Sequence, residues 1–136
     1  MPAHHTVDAD AQLLITTWKG EAHDHEFIEA IHNYQKEIQT HPEQLHFNEI
    51  VDFTDMTHVK LTAGGIKNIG RIALLTDTDH VKRKLALVVS SNVAFGLARM
   101  YTTYRTLSPK SNKDIHIFRT KADALEWAKN RTDVCS

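Results

Sequence analysis

"KLALVVSSNVAFGLARMYTTYR", residues 84–105, decides how this chain is read. After Lys84 come five apolar residues, Leu85–Val89. A run with no polar alternation suits a strand in the middle of a sheet, covered on both faces. Ser90, Ser91 and Asn92 then mark a strand-to-helix turn, with Asn92 as the expected cap. In the helix that follows, Val93, Leu97, Met100, Tyr104 and Leu107 recur at helical spacing, which predicts the sheet-facing stripe. Phe95, Arg99 and Thr102 fall on a second side, and Ala94, Ala98, Tyr101 and Arg105 on a third. Ala94 and Ala98, with Gly96 nearby, let another backbone approach closely. Tyrosine, arginine and methionine are favoured where proteins meet. The helix therefore reads either as a core element with solvated arginines or as an interface or apolar groove built on Phe95, Arg99, Met100, Tyr101, Tyr104 and Arg105.

Working outward, "DIHIF" (114–118) reads as the last strand. Thr120 followed by Asp123 resembles a capping box that opens a short helix through Leu125, Trp127 and Ala128. Upstream, the polar "DTDHVKRK" (77–84) reads as a loop. Before it, Thr62 caps a helix, "AGGIKNIGRIALLT", whose core face is Ile66, Ile69, Ile72 and Ala73. Gly64, Gly65 and Gly70 each cost about 1 kcal/mol against alanine in a helix interior, so they predict close backbone packing or a ligand near the first turn. "NEIVDF" (48–53) is a short strand. Pro42 stops a helix running from about His25 to Gln39, with Asp24 as its N-cap and Phe27, Ile31, Tyr34 and Ile38 as its buried face. A short first strand, a turn at Asp8–Asp10 and a strand from Gln12 to Trp18, broken by Gly20, begin the chain. On that strand Leu14, Thr16 and Trp18 share one face, and Leu13, Ile15 and Thr17 the other.

The order is ββαβαβαβα, an α/β fold in one domain over 1–136, with a core of about 5–128 and a tail from 129. Such alternation implies a mixed, mainly parallel sheet with right-handed crossovers and helices packed around it. Ligands on such sheets sit beyond the carboxyl ends of the strands, here Phe53–Lys60, Ser90–Asn92 and Arg119–Thr120.

At 136 residues, 41% hydrophobic and 24% charged, the chain is long enough for one real core. No apolar run approaches the ~20 residues of a membrane span, and the first residues lack the pattern of a secretory signal. The one cysteine, Cys135, excludes an intramolecular disulfide, and the expected location is the cytoplasm. The net charge of −1 hides an asymmetry: residues 1–58 hold 2 basic and 11 acidic side chains (−9), and residues 59–136 hold 14 and 6 (+8). Pairing between the halves is the expected use of that charge, and a basic face for an anionic partner is the alternative.

Several groups invite a chemical reading. Ser91 at a strand-to-helix turn suggests a nucleophile elbow, but G-x-S-x-G is absent. The amides after Ser90, Ser91 and Asn92 can instead meet an anion, or these side chains can simply cap the helix. Asp52, Asp55 and His58 follow a strand, where catalytic groups often sit, or serve only the local turn. Ten histidines include His4–His5 and His23-x-His25, but none has the i, i+4 spacing of a zinc helix, so no metal is expected. The basic "HVKRK" (80–84), with Lys110, Lys113 and Arg119, lacks any nucleic-acid-binding signature and reads as solvated loop.

Taken together and in order, "LLITTWKGEAHDHEFIEAIHNY", "NEIVDFTDMTHVKLTAGGIKNI", "KLALVVSSNVAFGLARMY" and "DIHIFRTKADALEW" resemble the bacterial SpoIIAA-like family, grouped with STAS and Sec14 (CRAL-TRIO) domains. The resemblance runs over roughly residues 5–128 and rests on overall pattern. It implies a mixed sheet with surrounding helices. STAS antagonists bind a kinase partner and are switched by phosphorylation of a serine at a helix start. "HVKLTAGGIKNI" matches that region, which makes Thr62 the candidate phospho-acceptor and Thr62, Gly64 and Gly65 part of a binding surface. The family's Asp-Ser-Ser-Gly-like tetrapeptide is replaced here by "LTAG". The Sec14 side of the resemblance implies an apolar ligand, with Phe95, Met100, Tyr101 and Tyr104 as lining residues.

The expected function is a non-enzymatic binding or regulatory module, assembled as a homodimer and acting through protein contacts near its second and third helices. A carrier or sensor of a small apolar or anionic ligand is the alternative, and an enzyme using Asp52, Asp55 or Ser91 the third reading. No cofactor and no nucleic-acid partner is expected.

Overall fold

A computed structural model describes residues 3–73, 83–106 and 113–130. One sheet takes five strands in sequence order: β1 (Ala3–Asp8), β2 (Leu13–His23), β3 (Asn48–Lys60), β4 (Arg83–Val88) and β5 (Lys113–Phe118). β1 pairs antiparallel with β2, and every later pair is parallel. The helices are α1 (Asp24–Thr40), α2 (Ala63–Ala73), α3 (Asn92–Thr106) and α4 (Lys121–Lys129), and a 3-10 turn covers Pro42–His46. The predicted ββαβαβαβα order and mainly parallel sheet are what the structure shows.

When successive parallel strands lie side by side, right-handed crossovers put their helices on one face. α1, α2 and α3 share that face here. Trp18 and Phe27 meet Ile69 in one cluster, and Leu85, Leu87 and Val89 meet Ala94 and Ala98 in another. α4 turns back onto the opposite face, where Ala124 and Ala128 cover Leu13, Ile50, Ala86 and Val88. β4 is therefore buried along its whole length, as its unbroken apolar run requires.

Several boundaries differ from the sequence reading. Gly20 does not end β2. It adopts φ +72°, a left-handed conformation that suits glycine, and carries the strand through a register shift to His23. β3 likewise runs to Lys60, because Asp55–Lys60 keep pairing with Lys19–His23 after β4 has ended opposite Asp52. Residues 54–60 are thus strand and not a ligand loop. Asp24 is the first residue of α1 and not its cap, and the His23 backbone N–H donates to the Glu26 carboxylate at 2.9 Å.

Arg83 and Lys84 also depart from the solvated-loop reading, since both are buried at the start of β4. The Lys84 ammonium donates to the Trp127 and Asn130 carbonyls at the end of α4. Its backbone N–H donates to Asn48 Oδ1 at 2.9 Å, while Asn48 Nδ2 donates to the Ala128 carbonyl at 2.8 Å. Asn48 thereby ties β3 to β4 and α4. The acidic and basic halves meet in ion pairs, Glu21 with Lys60 and Glu49 with Arg83, both at 3.5 Å.

The largest difference is on α3. The predicted inward stripe is not the buried one: Val93 is 68% exposed and Met100 46%. Ala94, Ala98 and Arg105 are buried instead, with Tyr101 half-buried between them. Arg105 is fully buried, and its guanidinium donates to the Tyr101 hydroxyl at 2.6 Å. Ala94 and Ala98 turn inward toward Leu85, Leu87 and Val89. Leu107, residues 74–82 with the basic His80–Lys82, Lys110 and Cys135 lie outside the described residues.

Candidate functional site

α2 packs against α1 on one side and α3 on the other. Two glycines permit this. A Cβ on Gly65 would fall 2.3 Å from Asp24 Oδ1, and one on Gly70 would fall 2.5 Å from the Tyr104 ring. Thr62 caps α2 as predicted, its Oγ1 accepting the Gly65 N–H at 2.9 Å. Asp24 clamps the same threonine, taking its backbone N–H at 3.1 Å and its hydroxyl at 2.8 Å. At the other end of α2, Gln35 Nε2 on α1 donates to the Ile72 carbonyl at 2.9 Å. Of the two explanations offered for the glycines, close packing applies at Gly65 and Gly70. At Gly64 a Cβ would only graze Thr62.

Slung between its neighbours in this way, α2 roofs a cavity of about 150 Å³ over the sheet. Ile66, Ile69 and Ala73 line it from α2, and Val51, Phe53, Leu85 and Leu87 from β3 and β4. α1 adds Phe27, Ala30, Ile31 and Tyr34, and α3 adds Ala94, Leu97, Ala98 and Tyr101. Trp18 completes an aromatic group, its ring 4.3 Å from Phe27 and 6.2 Å from Phe53.

The walls are polarised along the strands. The aromatic group lies toward the carboxyl end of β3. Four residues earlier, roughly 13 Å at strand spacing, Glu49 enters the lining with Tyr34, Thr16 and His5. The Tyr34 hydroxyl donates to Glu49 Oε1 at 2.6 Å and accepts from Arg83 at 2.8 Å. Burial, reinforced by the Glu49 charge, pushes the Tyr34 phenol well above its ordinary pKa, so it stays a neutral donor. His5 Nδ1 is 2.8 Å from Thr16 Oγ1. His5 is exposed as a residue, yet its ring leans on the cavity rim. That partial burial lowers its pKa, against an opposing pull from Glu49.

The predicted site residues divide around this cavity. Tyr101 and Ala98 reach it; Phe95, Met100 and Tyr104 do not line it. Phe95 stacks under the Arg119 guanidinium at 4.5 Å, and Arg119 also donates to the Ser90 carbonyl and to Asn92 Oδ1, each at 3.3 Å. Ser91, and not Asn92, supplies the cap of α3: its Oγ accepts the Ala94 N–H at 3.0 Å. Arg99 is exposed on α3. Asp52 is buried on the α4 side of the sheet, with Oδ1 accepting the Thr54 N–H at 2.9 Å and its hydroxyl at 2.7 Å. Asp55 and His58 are exposed on the extension of β3. His23 and His25 stack ring to ring at 6.0 Å, and among the described residues no group of three or more His, Cys, Asp or Glu side chains is placed to hold a metal ion.

Sequence reasoning missed Glu49 and His5 as cavity groups, and Arg83 as the cation behind Glu49 and Tyr34. One signal was present. Glu49 shares a strand face with Val51 and Phe53, and a carboxylate on a buried face requires a partner.

No family model matches this chain, and no curated protein does. A solved structure does: an uncharacterized protein of the DUF3478 family with a SpoIIAA-like fold, from Shewanella loihica PV-4. It is 13% identical, with 93% of this chain and 91% of that one covered, at a TM-score of 0.60. At that identity the likeness concerns the fold alone, and nothing in it points to Sec14 proteins. The chain has a SpoIIAA-like fold.

Proposed function

We propose that this protein is a carrier or sensor of small, largely apolar molecules, held between the sheet and α1–α3. The observation that carries the reading is the partly open cavity of about 150 Å³, lined almost wholly by apolar side chains of the sheet and three helices. At ~24 cal/mol per Å³, a closed void of that volume would cost about 3–4 kcal/mol, which sets the upper bound for this partly open one. That is a large share of a domain stability of roughly 5–15 kcal/mol. A cost of that size is understandable where the volume serves a ligand. It matches a single aromatic ring, and a lipid or a drug-sized molecule is too large for it. Native mass spectrometry of freshly purified protein tests the proposal. A retained small molecule, lost when Ala98→Phe fills the site, is the expected result. Bare polypeptide mass, together with no thermal stabilisation by small aromatic compounds, would reject it.

A second reading, contact with a protein partner or a second copy through α3, is favoured by one observation. Val93 and Met100 are large apolar side chains exposed on that single helix, beside Arg99. Arg99→Glu with Met100→Ala should turn a dimer into a monomer by light scattering, and an unchanged mass would dispose of this reading. Phosphorylation of Thr62 has less support. A phosphate there would displace the bond to Asp24 and set close to two negative charges beside that carboxylate.

A further inference from the structure

The polar end of the cavity has a chemistry of its own, and it selects among small apolar ligands. Resting on the carrier or sensor reading above, we propose that the site takes neutral compounds of one ring or a short chain bearing a hydroxyl or similar donor, and rejects carboxylates and ammonium ions of the same size. Glu49 and Arg83 are already paired at 3.5 Å, with the Tyr34 hydroxyl bridging them. A carboxylate ligand would bring a second negative charge to the Glu49 wall of an apolar chamber. An ammonium would find that wall's charge already matched by Arg83. In either case a third ion gives up its water without a counter-charge of its own. A neutral hydroxyl meets no such obstacle. Glu49 there is a carboxylate, which only accepts hydrogen bonds, while the Tyr34 hydroxyl is already given to Glu49 and Thr16 is paired with His5, so a donor suits this end better than an acceptor. The aromatic trio toward the other end suits an apolar body.

The probes are benzene, phenol, benzoate and benzylammonium, titrated into the full chain near neutral pH and followed by calorimetry and by Trp18-sensitive fluorescence. The expected phenol Kd is on the order of 0.1–1 mM, from its few heavy atoms. Phenol should bind at least about tenfold more tightly than benzoate or benzylammonium, and more tightly than benzene. The variant Glu49→Gln removes the resident anion and leaves the Arg83 charge to answer a carboxylate, so it should cut the discrimination against benzoate to less than about threefold. If benzoate or benzylammonium binds the wild-type protein as well as phenol, the proposed selectivity is wrong while the cavity remains a ligand site. Benzene binding as tightly as phenol would likewise remove the role given to the polar end. If neither benzene nor phenol binds, the carrier or sensor reading fails and this inference with it. These wild-type outcomes decide the matter even if the Glu49→Gln variant does not fold.

Discussion

Enlarging Ala98 tests the space beneath α3, because the same substitution has opposite effects over a cavity and in a filled core. Ala98 is buried on α3 and lines the cavity. Ala98→Leu adds three carbons on that side. In a core packed to ordinary density such an insertion costs about 1–3 kcal/mol, because neighbours must move off their rotamers. Projected into the cavity, each added methylene-sized group gains about 0.8 kcal/mol of burial, against roughly 0.5–1 kcal/mol of lost leucine rotamer freedom. The net expectation is stabilisation by about 1–2 kcal/mol. Urea unfolding reads this as a higher midpoint at an unchanged slope. The same variant should weaken binding of phenol by tenfold or more, since it occupies the same volume. Destabilisation by 1 kcal/mol or more at unchanged slope would refute the reasoning, because α3 would then already be pressed against the sheet.

Gly96 lies inside α3 with open space where a side chain would go, so Gly96→Ala should stabilise by about 0.5–1 kcal/mol in chemical denaturation. Asn48→Ala should destabilise by about 2–4 kcal/mol, because the Lys84 amide and the Ala128 carbonyl both lose their side-chain partner inside the protein. The folded state favours the neutral ring of His5, whose pKa is lowered from 6.5 by burial at the cavity rim. Protons therefore bind the unfolded chain more readily, and stability should fall as the pH drops below 6.5. His5→Gln should flatten that part of a pH–stability curve measured by thermal unfolding.

The fold was largely legible in the sequence because each parallel unit carries its own signal. Leu85–Val89 has no polar alternation, and β4 is covered on both faces. Thr62 and Thr120 stand where caps belong, and both accept the expected backbone N–H. The inward face of α3 was misread because periodicity weighs apolarity and not volume. Val93, Leu97, Met100 and Tyr104 look like a core stripe, yet Val93 and Met100 stay exposed, Leu97 reaches the cavity, and Ala94 and Ala98 face the strands. Arg105 follows them in because Tyr101 offers its charge a hydroxyl. The far half of β3 was missed because Thr54–Lys60 lack a strand's alternation, with Met56 and Val59 three residues apart among polar neighbours, and pairing with β2 past Gly20 holds them extended. The cavity was not legible at all. It is a partly open volume between three helices and the sheet, beneath the α2 that Gly65 and Gly70 let lean on its neighbours. Its one trace in the sequence, alanines at positions 30, 73, 94 and 98, becomes a pattern only once the helices are placed around it.

Methyl-resolved NMR during a phenol titration tests the central claim most directly. The account predicts saturable shifts at Ile66, Ile69, Leu85 and Leu87, which line the cavity, and none at Leu13 or Ile50, which pack beneath α4 on the other face. Shifts spread evenly over both faces, or no shifts at millimolar phenol, would contradict it.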